Sequence, residues 1–229
     1  MDAELLDLAR RTPGFMPDDE GLALHRAALD AAHRGPLVEI GTYCGKSSVY
    51  LAAAAREQGT VVFTVDHHRG SEENQPGQLY HDERFADPLT GGLDTLHEFR
   101  RTMTAGRLDE CLVAVVGDSR IVARHWHQPI GGLFIDGGHS EAAAQGDYES
   151  WSSQVVEDGL LLIHDVFPDP ADGGRPPYHV YLRALDSGAF REEPGCGSLR
   201  VLRRLRGGNP LAGRVPSAGA AAEPEPATR

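Results

Sequence analysis

The stretch Leu37-Val38-Glu39-Ile40-Gly41-Thr42-Tyr43-Cys44-Gly45-Lys46-Ser47-Ser48 decides how the rest of the chain is read. A short apolar run carrying one acid breaks into a loop with two glycines, Gly41 and Gly45. The loop leads into Ser47-Ser48-Val49-Tyr50-Leu51-Ala52-Ala53-Ala54-Ala55, a segment of strong helix formers. The order predicts a strand, a tight turn and a helix N-terminus. Such a turn aims unpaired backbone N–H groups and the positive end of a helix dipole at one point, where an anionic part of a ligand can sit. Glycine there lets ligand and backbone approach closely. A nucleoside-triphosphate loop, G-x-x-x-x-G-K-[ST], needs glycine where the chain has Ile40, and the dinucleotide fingerprint G-x-G-x-x-G needs it where Tyr43 stands. What remains is an acid followed by Gly-x-x-x-Gly, or an ordinary strand–helix turn.

Downstream the theme repeats. Val61 to Val65 reads as a second strand and ends in Asp66-His67-His68. An acid at a second strand's end, about 20–30 residues past the glycine loop, is what ribose recognition needs, because a carboxylate can accept from both vicinal hydroxyls. Leu112 to Val116 is read as a buried strand closed by Gly117-Asp118-Ser119. Leu133 to Ile135 closes in Asp136-Gly137-Gly138-His139-Ser140. Leu160 to Ile163, after the turn Glu157-Asp158-Gly159, ends in His164-Asp165. Helical segments separate them: Leu96 to Met103, Ile121 to Trp126 and Glu141 to Trp151. Short continuous apolar strands alternating with helices predict an α/β fold whose parallel sheet is covered on both faces. After the Pro/Gly-rich loop 168–177, Tyr178 to Leu185 reads as helix and Phe190 to Leu205 as a terminal hairpin.

Upstream, residues 3–11 have helical spacing, and Pro17-Asp18-Asp19-Glu20 opens a second helix that Gly35-Pro36 stops. This lead-in, residues 1–36, is expected to cover a sheet edge or one rim of the site. Residues 69–95 are polar and rich in Gly and Pro, long enough to predict a lid or substrate-contacting insertion; a mobile surface loop is the alternative. Residues 1–206 are read as one domain. The low-complexity stretch 207–229 is read as a disordered tail.

Composition narrows the partners. A formal charge of -12 and a pI near 5.3 argue against a nucleic-acid backbone. Three widely spaced cysteines form neither a disulfide framework nor a zinc spacing. Asp2, Glu4 and Asp7 stand where a secretory signal or membrane anchor would be apolar, so the default is a soluble cytoplasmic protein with no membrane partner. The oligomeric state is left open, a homo-oligomer included.

Every proposed parallel strand thus ends in polar residues, and in an open α/β sheet ligands bind beyond those ends. With VEIGTYCGKS, FTVDHH, VVGDS, LFIDGGHS and LLLIHDVF on the page, residues 35–205 resemble a class I S-adenosylmethionine (SAM)-dependent methyltransferase of the small-molecule O-methyltransferase branch, which includes metal-dependent sugar O-methyltransferases. The resemblance implies a Rossmann-like, doubly wound, mostly parallel seven-stranded sheet with a C-terminal antiparallel hairpin. It implies SAM as cofactor and a small hydroxylated acceptor, a sugar or natural product.

By the same resemblance, Glu39 and the loop Gly41, Tyr43, Gly45 and Ser47 would hold the methionine end. Asp66 and His67 would meet the ribose, and Gly117, Asp118 and Ser119 the adenine, with Asp136 completing the set. His139 is the candidate base for a hydroxyl acceptor, against a histidine simply bonded within its own loop. Asp136 and Asp165, with His164, are candidate ligands for a divalent cation, magnesium or manganese. Here the chain departs from the metal-dependent pattern, which pairs a carboxylate or amide with the last acid. Imidazole is a poor magnesium ligand, though acceptable to manganese, iron or zinc. Two other functions are weighed: a non-catalytic SAM-binding protein of this fold, and a phosphotransferase using Lys46 and Asp136.

Overall fold

Strand β1 (Leu37–Ile40) is buried along its whole length and has parallel neighbours on both sides, β2 (Val62–Asp66) and β4 (Ile130–Ile135). It is the centre of a seven-stranded sheet in a computed structural model that describes residues 1–78 and 81–216. The remaining strands are β3 (Leu112–Val116), β5 (Val155–Ile163), β6 (Phe190–Cys196) and β7 (Leu199–Arg204), in the order β3-β2-β1-β4-β5-β7-β6. Strands β1 to β5 run parallel, and β7 is antiparallel to both of its neighbours. Because the strand order reverses at β1, the connections leaving β1 and β4 go to opposite faces and open a crevice between them.

Helices α1 (Ala3–Arg11), α2 (Asp18–Ala32), α3 (Lys46–Gln58) and α4 (Leu96–Gly106) bury one face, where Leu24, Tyr50, Leu51 and Phe99 share one core with Phe134 of β4. On the other face α5 (Ser119–Ala123), α6 (Glu141–Trp151) and α7 (Pro176–Asp186) pack Tyr148, Trp151 and Val180 on Val38, Leu133 and Leu161. Burying each such large apolar side chain contributes about 1.5–3 kcal/mol. The lead-in therefore covers a face of the sheet, and its Pro13–Met16 connection reaches the rim of the crevice. Among the described residues no helix is long and apolar enough to cross a membrane.

Four expectations change. Strand β3 pairs only with β2 and is the sheet edge, which leaves Val113 43% and Val116 54% exposed where a buried strand was expected. The expected turn at Glu157-Asp158-Gly159 lies inside β5; the register slips between Ile130 and Gly132, and Asp158 takes a φ of 63° to absorb it. Helix α5 ends at Ala123, and Trp126 turns in against Phe63 and Trp151.

The last change concerns the expected tail. Pro210 is buried, and its carbonyl accepts the Tyr148 hydroxyl at 2.7 Å. The Gly213 carbonyl accepts from Arg183 Nε at 3.2 Å. The packed chain therefore continues past Arg206 as far as Arg214, whose N–H donates to Asp186 Oδ2 at 2.9 Å, because α6 and α7 offer polar groups that this segment satisfies. Residues 217–229 lie outside the described residues.

Candidate active site

At the carboxyl ends of β1 to β5 lies a cavity of about 960 Å³. Its floor is the turn after β1. Gly41 has a φ of 87°, and a Cβ there would lie 2.1 Å from the Asp136 carbonyl oxygen, so this is where the β1 and β4 ends cross without room for a side chain. The Gly45 N–H closes the turn on the Thr42 carbonyl at 2.8 Å. Tyr43, itself at a φ of 51°, stands at the mouth between Phe15 and Phe85, with ring centroids 5.7 and 5.8 Å away.

Two of the residues expected to hold cofactor lie behind this loop. Glu39 is fully buried and takes hydrogen bonds from Ser47 Oγ at 2.6 Å, Ser48 Oγ at 2.5 Å and Thr64 Oγ1 at 2.6 Å. Burial raises its carboxyl to about 7 against the pull of those three hydroxyls. With both oxygens committed below the turn, Glu39 braces the loop and does not reach the cavity. Gly45 faces α4, where a Cβ would come within 3.0 Å of Phe99 and Met103. Ser47 does line the cavity, though its hydroxyl points down to Glu39.

Asp66 and His67 both line the cavity at the end of β2. Asp66 Oδ2 accepts the N–H groups of Thr42 at 2.8 Å and Tyr43 at 2.9 Å, while Oδ1 accepts that of His68 at 2.7 Å. The carboxylate therefore ties β2 to the glycine turn and keeps acceptor capacity on Oδ1. Gly117, Asp118 and Ser119 also line the cavity. Asp118 caps α5, accepting from Arg120 N at 3.0 Å and Ile121 N at 3.1 Å. Ser119 donates its hydroxyl to Asp147 of α6, a lining residue that sequence reasoning missed. Burial raises Asp147 to about 6. An acid on the buried side of α6, beside Ala144, Tyr148 and Trp151, was the available signal.

The far end of the cavity is a chain of charges. His139 Nδ1 meets Glu73 Oε1 at 3.1 Å and its Nε2 meets Asp165 Oδ2 at 3.2 Å. Burial alone would push this imidazole down, but the hydrogen bonds and charges of Asp165 and Glu73 outweigh it and hold it at about 10. In this arrangement both ring nitrogens of His139, the base expected from the sequence, are engaged by carboxylates.

His164 is likewise saturated. Its Nε2 lies 2.6 Å from Glu20 Oε2, and its Nδ1 lies 3.1 Å from Asp136 Oδ1. Burial is again overcome, here by the charge of Asp136 and by hydrogen bonds to Asp136 and Glu20, and His164 rises to about 11. His164, expected as a cation ligand, thus lies between Glu20 and Asp136 with both ring nitrogens engaged. Glu20 is itself fixed by Ser198, whose N–H donates at 2.7 Å. Neither Glu20 nor Glu73 carried a local sequence signal, since one opens a helix and the other lies in the insertion. Among the described residues, Asp136, His139 and Asp165 each offer a ligand atom within 4.8 Å of the other two.

A profile of the family described as "Methyltransferase domain" matches residues 38–166. The O-methyltransferase NovP superposes with a TM-score of 0.61 at 16% identity, over 82% of this chain and 81% of that one. An S-adenosylhomocysteine-bound methyltransferase from Podospora anserina gives 0.61 at 12%, over 90% and 89%. The O-methyltransferase TomG from Streptomyces achromogenes, involved in tomaymycin synthesis and solved with SAM, gives 0.58 at 14%, over 90% and 91%. At such identities the likeness establishes the fold. The phosphotransferase alternative finds no support in it. The profile, by contrast, spans more than half of the chain and takes in β1 to β5 with the turns that follow the first four of them, and on that match the protein belongs to the methyltransferase-domain family.

Proposed function

We propose that the protein transfers the methyl group of SAM to an oxygen of a small hydroxylated metabolite, a sugar or natural product. One observation carries this reading: a single cavity holds the glycine turn, Asp66 and the β3 end at one side and His139 and Asp165 at the other. Its volume of about 960 Å³ is at the top of the roughly 300–1,000 Å³ usual for small-molecule sites, room for a donor and an acceptor together. In this reading the turn at Gly41 to Ser47 backs the methionine end, and Asp66 Oδ1 takes a ribose hydroxyl. His67, whose Nδ1 accepts the Arg69 N–H at 3.0 Å, keeps Nε2–H as a further donor to the ribose.

Methyl transfer from a sulfonium asks chiefly that the acceptor oxygen be aligned behind the methyl carbon and shielded from water. In this reading His139 steadies charge on that oxygen, and the hydroxyl proton leaves past Asp165 to solvent. Once His139 gives up its proton, the set Asp136, His139 and Asp165 would also suit one divalent cation, with two carboxylates and an imidazole favouring manganese, iron or zinc over magnesium. A cation held there would lower the cost of forming an alkoxide on the acceptor.

The test is thermal shift of the full chain with SAM, S-adenosylhomocysteine, ATP and NAD. SAM and S-adenosylhomocysteine are expected to raise the melting temperature and the other two to leave it unchanged. Stabilisation by ATP above that by SAM overturns the reading.

A further inference from the structure

The adenine site read from the sequence rests on Asp118, but the structure spends that carboxylate elsewhere. Besides capping α5, its Oδ2 pairs with the Arg120 guanidinium at 3.1 Å, and its side chain is 36% exposed. The acid turned into this part of the cavity comes from α6. Asp147 is 6% exposed and lines the cavity. Its Oδ1 accepts the Ser119 hydroxyl, which fixes the plane of the carboxylate. Its Oδ2 stands against the end of β4, 2.7 Å from where a Cβ on Gly137 would be, and has no donor among the described residues. Only glycine at 137 leaves that oxygen open to the cavity. The side chain is thus largely buried while this one acceptor oxygen faces the cavity without a protein donor, which points to a donor that arrives with a ligand.

Which donor follows from the layout. The ribose reading belongs to Asp66 at the β2 end, beside the glycine turn. One strand further out, between the β3 end and the β4–α6 connection, is where the base attached to that ribose would lie. We propose that Asp147 recognises the 6-amino group of the donor's adenine, with Oδ2 accepting one of its N–H bonds while Ser119 holds Oδ1. The proposal rests on SAM as the donor. A carboxylate only accepts, so it selects a base with an amino group at position 6 and sets its lone pairs against an oxo group there. Asp147 is thus a specificity-determining residue that the β3-end motif does not contain.

The experiment is calorimetric titration of the full chain with S-adenosylhomocysteine and with its 6-oxo counterpart, S-inosylhomocysteine. Wild type is expected to favour the 6-amino ligand by roughly 10- to 100-fold, the scale of one hydrogen bond to a charged group. Asp147→Asn keeps an acceptor for Ser119 and turns an N–H toward the ligand. It should weaken the 6-amino ligand by about tenfold or more and erase or reverse the preference. Asp118→Asn should leave the preference unchanged. Ser119→Ala, which frees Oδ1, should reduce it, and serves as the second variant if Asp147→Asn does not fold. An unchanged preference in folded Asp147→Asn or in Ser119→Ala, or a loss of preference in Asp118→Asn instead, overturns the assignment. Wild type that binds both ligands equally well also overturns it while leaving SAM as donor intact. Wild type that binds neither ligand nor SAM brings down the donor reading itself.

Discussion

Of the two ends of the cavity proposed above for donor and acceptor, the donor end has its acids tied to backbone and hydroxyl groups, with Asp66 on three N–H groups and Glu39, beneath the turn, on three side-chain hydroxyls. At the acceptor end Glu73, His139, Asp165, His164, Asp136 and Glu20 lean chiefly on one another's charges. The first arrangement has its shape before any ligand arrives, because each partner is held by a strand or a tight turn. The second is a balance in which every group depends on its neighbours, so it responds to charge more than to volume. The donor end should therefore fail by steric damage, and the acceptor end by loss of charge with the donor end undisturbed.

The largest effect is expected at Gly41. Alanine there combines a positive φ with a Cβ 2.1 Å from a backbone oxygen. Strain and overpacking together should cost about 4 kcal/mol or more, read as a shift in urea unfolding. A loss below about 1 kcal/mol would mean that the turn is pliable and the contrast between the two ends is wrong.

A smaller effect, dependent on pH, is expected at Glu39. Its carboxyl lies above the unfolded value of 4.5 at about 7, so the native state binds the extra proton and stability falls as pH rises between those values. Glu39→Gln removes that loss. Its stability relative to wild type should rise by about 3 kcal/mol from pH 4.5 to pH 8, the equivalent of the shift. Urea unfolding at the two pH values measures it, and parallel wild-type and variant curves would show that the hydroxyls fully compensate the buried charge.

The smallest effect is expected across the divide. Asp165 has a φ of 55°, which asparagine adopts readily, so Asp165→Asn removes charge without straining the backbone. Manganese affinity, followed by electron paramagnetic resonance, should fall about tenfold or more with the loss of a charged ligand. Affinity for S-adenosylhomocysteine should change by less than about twofold, as for sites without shared partners. A large loss of nucleotide binding would join the two ends into one unit.

The strands were legible because their pattern is local. Leu37 to Ile40, Leu112 to Val116 and Leu133 to Ile135 are continuous apolar runs that stop in Gly, Asp or His, and the sheet uses them as such. The residues gathered at their ends were legible for the same reason, since a parallel sheet brings successive strand ends to one side. What each of those side chains does was not legible. Glu39 and Gly45 belong to the motif by spacing, yet one is turned under the loop and the other against α4. Edge or centre was equally hidden for β3, because Val113 and Val116 read as core until the strand order leaves them without a neighbour.

What the amino-acid sequence determined by itself is therefore the order of strands and helices, the glycine turn and the family, each written in residues a few positions apart. The tertiary structure alone decided which carboxylate meets which histidine. Glu20 joins His164 across 144 positions, and Ser198 joins Glu20 across 178. Pairings of that separation carry no periodicity along the chain. They exist only once α2, β5 and the terminal hairpin have packed, when burial without a partner would be too costly for any of these charges.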